Sequence, residues 1–570
     1  MSSDAPQYQH FIPQFILKNF DHPFSCPKAP ANGSKCKKHH HEKGKYPGDR
    51  VVSCLELLPE GYKIEERSVR RVCGLNDMYT DQSTDATFPR ELEAKFGKLE
   101  GETSLVIRKI IGAHQRGKAN VTITRTQQTM LRKFVYLLNQ RGSGFFKTYN
   151  CDSIDEYKKN DRDLLKEFMD RNGIQRPLDV WLQGLSSIID LDMSVTANWQ
   201  QTLKSAVYYS LYCHFVEHIN AFWMSFCTPS SEDQDFILSD TGSHVYEGPT
   251  IDFQDKTTGE FLRIGPRFHL FAPISPRLMI VLRSKHLPEP HEDNNPEIKA
   301  GRQLYRQIEI DSIYGPGTKS ILEDLPVHKA INSYSTLVNG ILRKRPGWDG
   351  QLRQTDTFSF PFFKISTRHA HIINGLLLDH AFHGLTVIFN KKTAFLDLLE
   401  WFLTEPCEVG KRLGGEHHAD QMRYLARLTA LMHAEGRNIS LCITNSPVSN
   451  NLNIERYKNQ NNAAARWLES LEKKDVNEGA AKQKQRHGPV TEVDAVVRHT
   501  SMGLQDQPKP KNETSTIEEQ STYHDPTLEH EEELSQAELT SPDASEYSNQ
   551  FESANSRRAH EQLDASDQST

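Results

Sequence analysis

Apolar positions along the chain change period several times, and each change marks an element. At the N-terminus, His10 to Phe20 (HFIPQFILKNF) gives a short strand-like lead into a short helix, with Pro13 at the helix start. Pro13, Ile16, Leu17 and Phe20 share a face of that helix, and Phe11 and Ile12 are left to pack beside it. Burying three such side chains gives on the order of 5–8 kcal/mol before entropy, enough to pin the segment to a larger body. Arg50 to Leu58 and Gly61 to Arg67 read as short strands. From Phe88, three- and four-residue steps through Leu92, Phe96, Leu99, Thr103, Val106 and Ile110 predict a long helix with Glu100 at the stripe's edge. A capping box at Thr124 and Gln127 opens a second helix through Met130, Leu131, Phe134 and Leu138, ending at Arg141 before Gly142 and Gly144.

Ala197 to Cys227 is apolar nearly all round, which predicts one long core helix carrying His214, Glu217 and His218. Strands are expected over Asp235–Leu238, Phe261–Ile264 and Phe268–Leu282. After a polar stretch come helices over Ser366–His383 and Thr393–Leu403, flanking a strand at Leu385–Phe389. A helix at His417–Glu435 and a strand at Ile439–Thr444 complete the pattern. The expected class is α+β, with a mainly helical first part and a mixed second part in one body over residues 1–474.

Composition alters this picture at two places. Residues 21–49 are rich in Pro, Gly, Lys and His and read as a loop insertion. Residues 475–570 hold 20 acidic against 8 basic side chains, so the net charge of −7 leaves +5 on the rest. So polar a segment cannot offset its chain entropy by burial and is expected to be a disordered acidic tail. Nine cysteines without a CxxC pair, no signal-peptide pattern and no membrane-length apolar run point to an intracellular protein, cytoplasmic or nuclear, with no membrane partner.

Several groupings carry chemistry. Arg141 extends the apolar face of its helix, so its charge must meet a carboxylate, carbonyls or an anionic ligand at the core's edge; the bland alternative is an Arg stabilised by the helix dipole. Asp240 lies where a strand gives way to a turn, next to Ser239. HFVEH, His214 to His218, has the spacing of inverted zinc peptidases with Glu217 as base, but no third ligand stands out among Glu289, Glu292 and Glu297. His369, His371, Asp379 and His380 lack the spacing for a shared metal, since helix positions two apart diverge by about 200°. Cys26, Cys36 and His39 could bind metal, though the cysteines are too far apart for a usual zinc pair. Lys35, Lys37, Lys38, Lys43 and Lys45 could meet nucleic acid, but a charge run with no interleaved aromatics reads as a solvated loop. No cofactor motif is present.

His10, Phe11, Ile12, Pro13, Phe15, Leu17 and Phe20, with the later stretches FILSDTGSHVYEG (Phe236 to Gly248) and FHLFAPISPRLMIVLRS (Phe268 to Ser284), resemble the family catalogued as domain of unknown function 4238, over roughly residues 8 to 400. The resemblance implies no activity. It does imply that His10, Arg141 and the Ser239–Asp240 pair fall in recurring motifs, with Glu100 the best-fitting acid on the long helix. The sequence thus leads to an expectation that His10, Glu100, Arg141 and Asp240 converge in an anion-binding, hydrolytic site. Two alternatives stand beside it, a zinc hydrolase on His214 and His218 and a non-enzymatic protein recruiting partners through its tail.

Overall fold

A computed structural model describes residues 6–26, 46–80, 90–159, 161–240, 247, 251–254, 261–405, 409–413 and 418–445. The chain divides into two units, Met1–Ala465 and Arg466–Thr570, and the second lies outside the described residues. The acidic tail, Lys35 to Lys45, Cys36 and His39 therefore lie outside them as well.

Two sheets, one mixed and one antiparallel, form the centre of the α+β fold. One runs in the order His269–Ser275, Leu278–Ser284, Phe222–Pro229, Thr357–Ile365, Ile331–Asn332, and Asn120–Thr124 also pairs with Thr357–Ile365. The other orders His22–Pro23, Arg50–Leu58, Thr386–Phe389, Leu238–Ser239, with Gly61–Ser68 hairpinned onto Arg50–Leu58. Side chains alternate between two cores because strand residues point to opposite faces. Phe222, Met224 and Phe226 join the core of the N-terminal helices, whereas Trp223 and Cys227 join that of helices Thr367–His380, Lys392–Thr404 and His418–Ala434.

This layering corrects the single helix expected over Ala197–Cys227. The segment forms helices Trp199–Ala206 and Tyr209–Asn220 and then the fully buried strand Phe222–Pro229. A strand covered on both faces is apolar at every position, so its period cannot be told from that of a buried helix. Nor is the Tyr209–Asn220 helix enclosed: only Phe215 and His218 are buried on it. Strand Thr357–Ile365 went unread because Pro361 interrupts TFSFPFFKI. Pro361 sits where pairing with Asn120–Thr124 hands over to parallel pairing with Phe222–Pro229, a place that tolerates a missing N–H. The expected strand at Ile439–Thr444 reduces to a short pairing at Thr444–Asn445. A helical first part and a mixed second part do not separate either, since Arg50–Leu58 pairs with Thr386–Phe389 and Asn120–Thr124 with Thr357–Ile365. The residue 21–49 insertion also starts late: His22–Pro23 is a strand, and Phe24 and Cys26 pack on Val51.

Helices α1 (Gln14–Leu17), α2 (Glu91–Gln115) and α3 (Arg125–Gln140) position the site described next. The expected capping box forms in full at α3, with Thr124 and Gln127 satisfying each other's backbone N–H. Phe11, Ile12, Ile16, Leu17 and Phe20 are all buried, so docking this one-turn segment gains on the order of 10 kcal/mol before chain entropy. The backbone joins in: strand Tyr8–His10 pairs with Gly74–Asn76, and the N–H groups of Phe11 and Ile12 donate to the Cys73 carbonyl.

Candidate functional site

Arg141 caps the C-terminal end of α3 and is buried, with 2% of its surface exposed. Its guanidinium makes a 2.5 Å ion pair with Glu100 of α2, donates to the His10 backbone carbonyl, and reaches the Tyr79 hydroxyl at 3.3 Å through Nε. The Phe96 ring lies under it, 4.0 Å from Cζ to centroid. Burial opposes the charge, but Tyr79 and Glu100 outweigh it and hold the Arg141 pKa above its ordinary value. Tyr79 also closes the helix end, its hydroxyl donating to the Arg141 carbonyl at 2.7 Å, while Trp181 Nε1 donates to the Gln140 carbonyl. Gln9 sets Tyr79 in place by accepting its backbone N–H at 2.6 Å. The N-terminal strand, the long helix and the end of α3 thus meet on one guanidinium.

His10 contributes its carbonyl to this node, and its ring turns away. Nε2–H donates to the Val69 carbonyl at 3.2 Å, and burial, with the Arg141 charge adding to it, lowers the ring's pKa and keeps it neutral. Asp240 is placed behind the node. Its backbone carbonyl lies against Gly142, while its carboxylate turns to the other sheet, Oδ2 accepting the Leu385 N–H at 2.7 Å. Among the described residues Oδ1 is buried without a hydrogen-bond partner, and burial raises the Asp240 pKa to about 7 against the pull of three backbone N–H groups and Lys147. The structure therefore brings Arg141, Glu100 and the His10 backbone into direct contact and gives the Asp240 carboxylate separate partners.

An open cleft of about 370 Å³ lies over the node, between α1 and α2. Glu93, Gly97, Glu100, Gly101 and Ser104 line it along one face of α2, opposite Phe15 and Lys18. Gly97 and Gly101 hollow that face, since a Cβ on either would meet nothing within 4 Å. Glu93 was not singled out from the sequence. Its Oε2 is buried with no partner among the described residues, and burial raises its pKa, with Arg141 opposing and Glu100 adding to the rise.

HFVEH is built differently from a zinc site. Arg267 fills the position between its first members, with Nη1 2.7 Å from Glu217 and Nη2 3.3 Å from His214 Nε2. His218 points elsewhere, its Nε2–H donating to the Arg132 carbonyl at 2.9 Å. A guanidinium can only donate, so the two rings show opposite faces to different partners and share no metal. Burial, then the neighbouring Arg267 or Arg132, lowers both pKa values to about 3. His369 and His371 likewise diverge, towards Asp324 and Gln234.

A second buried network was missed. His269 Nδ1–H donates to Glu247 at 2.5 Å, Arg283 donates to His269 Nε2 at 2.9 Å, and Ser320 donates to the other Glu247 oxygen at 3.0 Å. Arg283 also bonds the Leu322, Pro288 and Glu323 carbonyls. All four side chains are buried, and the donor pattern fixes a neutral imidazole, in line with a pKa lowered by burial. The signal was present: His269 and Arg283 interrupt otherwise apolar strands, where a charge must have a partner.

Among the described residues no helix is long and apolar enough to cross a membrane. No curated protein and no solved structure matches the chain. The model of one family, described as a protein of unknown function (DUF4238), matches residues 8–393. That span contains the His10–Arg141–Glu100 node, Asp240 and the Glu247–His269–Arg283 network, and the chain belongs to the DUF4238 family.

Proposed function

We propose that the cleft between α1 and α2 is a small-molecule site with acid–base capacity, Glu93 exchanging the proton beside the fixed Glu100–Arg141 pair. One observation carries this reading: Glu93, whose Oε2 is buried with no partner among the described residues, lines a cleft of about 370 Å³. A ligand hydroxyl or amine would satisfy that oxygen, and an anionic substituent would meet Lys18 at the rim. Burial raises the Glu93 pKa above the ordinary carboxylate value, which favours a group that can hold a proton and give it up to a ligand, as hydrolysis requires. Arg141 acts as wall and anchor, its donors already engaged by Glu100, Tyr79 and His10.

Gly97→Leu is the direct test. The added side chain has free space and fills the cleft, and on helix propensity the variant should gain about 0.5–1 kcal/mol in urea unfolding. In a thermal-shift panel of small hydroxy- and amino-carboxylates, at least one compound should raise the melting temperature of the wild type by a few degrees. That shift should vanish in Gly97→Leu and weaken in Glu93→Gln. A panel without effect, or shifts that survive Gly97→Leu, would refute the site.

A further inference from the structure

Strand Thr357–Ile365 runs directly into helix Thr367–His380, and the one residue between them is Ser366. Its backbone is extended and unstrained, φ −66° and ψ 162°, and as the helix N-cap its Oγ accepts the His369 N–H at 3.3 Å. A cap needs no more than that. Yet the His369 ring also turns back on the hydroxyl, with Nδ1 3.1 Å from Oγ, and brings its Nε2 to 3.2 Å from Asp324 Oδ1. Two lone pairs would repel at that distance, so the ring proton sits on Nε2 and Nδ1 is left to accept from the serine. The contact between Nε2 and Oδ1 is off the line of a full hydrogen bond, as catalytic contacts often are before a substrate tightens them. Arg368 Nη1 steadies the carboxylate, donating to Asp324 Oδ2 at 3.1 Å. Burial works against the Asp324 charge, but His369 and then Arg368 hold its pKa below the ordinary value, so the acid stays ionised. The exposures differ as the roles would require: Ser366 and Asp324 are exposed, and His369 keeps only 8% of its surface in water.

We propose that Ser366, His369 and Asp324 form a hydrolytic centre for short carboxylic esters, sharing no residue with the α1–α2 cleft. Ser366 is the nucleophile, His369 its base, and Asp324 a positioning residue that holds the ring in the required tautomer. Ser366 Oγ bonds to the acyl carbon while His369 Nδ1 takes its proton, and the same proton passes to the departing alkoxide. Water then repeats the route and releases the acid, so ester and water give acid and alcohol with nothing else consumed. The charge that develops on the carbonyl oxygen has donors at hand. The Thr367 and Arg368 N–H groups open the 14-residue helix and have no partner among the described residues. A strand, a serine and a helix in direct succession thus put the N–H after the nucleophile where an oxyanion would form. Ser366, Thr367 and Arg368 are all exposed, so a long acyl chain would gain no burial there, which limits the ester to a short one.

The full chain should hydrolyse p-nitrophenyl acetate, and a fluorophosphonate should attach to Ser366, located by peptide mass, and abolish that activity. Ser366→Asp separates the cap from the nucleophile. Asp caps a helix as well as Ser does, so the melting temperature should hold while labelling and hydrolysis are lost. His369→Gln should slow labelling by at least about a hundredfold. Asp324→Asn removes a negative charge beside the base, so it should move the midpoint of the pH–rate profile to lower pH. A fluorophosphonate that leaves Ser366 unmodified, or a Ser366→Asp chain that hydrolyses the ester at the wild-type rate, would make Ser366 a helix cap and nothing more. An unchanged pH profile in Asp324→Asn would overturn the part given to the acid.

Discussion

Arg141→Ala should cost about 3–5 kcal/mol in urea unfolding, whereas an Arg at the surface would cost under about 1. The size follows from what the guanidinium holds together. Removing it strands the Glu100 carboxylate, leaves the His10 carbonyl and the Tyr79 hydroxyl each short of a partner, and empties the space above the Phe96 ring. Glu100 keeps about a quarter of its side chain in contact with the cleft, so water can take up part of its charge and the lower half of the range is expected. Arg141→Lys should recover little, because one ammonium cannot reach three partners in three directions. A double-mutant cycle with Glu100→Ala should show coupling of about 1–3 kcal/mol. A loss under about 1 kcal/mol for Arg141→Ala, or no coupling with Glu100, would mean that the node does not hold the N-terminal segment.

The node was legible in the sequence because each component signals locally. The apolar face of α3 runs into Arg141, the stripe of α2 puts Glu100 at its edge, and HFIPQFILKNF has too much apolar surface to stay undocked. The partner assignment was less legible. Glu100 and Asp240 are both carboxylates that could serve a guanidinium, and only the strand pairing of Leu238–Ser239 with Thr386–Phe389 turns Asp240 towards the Leu385 N–H. Glu93 stayed hidden for a related reason: Arg141 influences it across the cleft, and nothing in its own neighbourhood of sequence marks it. Where local period misled, at Phe222–Pro229 and Thr357–Ile365, the cause was burial on both faces or a proline at a change of pairing partner. Both are properties of the sheet and not of the segment.

Asp240 should make the fold proton-sensitive between about pH 4 and pH 7. Burial raises its pKa from 3.8 to about 7, so over that interval the folded state binds a proton that the unfolded chain releases. Stability therefore falls as pH rises: the contribution is complete below the unfolded pKa and is lost as pH climbs through the folded one. A shift of about three units at 1.36 kcal/mol each amounts to roughly 4 kcal/mol by pH 8. Other groups titrate in the same range, Glu93 in the same direction and the buried imidazoles of His214 and His218 in the opposite one, so the comparison must isolate Asp240. Asp240→Asn does so. Its amide oxygen can still accept the Leu385 N–H, and its NH₂ replaces the Oδ1 that lacks a partner among the described residues. Urea unfolding at pH 5 should then find the variant within about 1 kcal/mol of wild type, whereas at pH 8 it should be the more stable of the two by a few kcal/mol. Parallel pH profiles for the two proteins would show instead that the buried carboxyl is ionised in the fold throughout, and that strand Thr386–Phe389 is held by a charge and not by a proton.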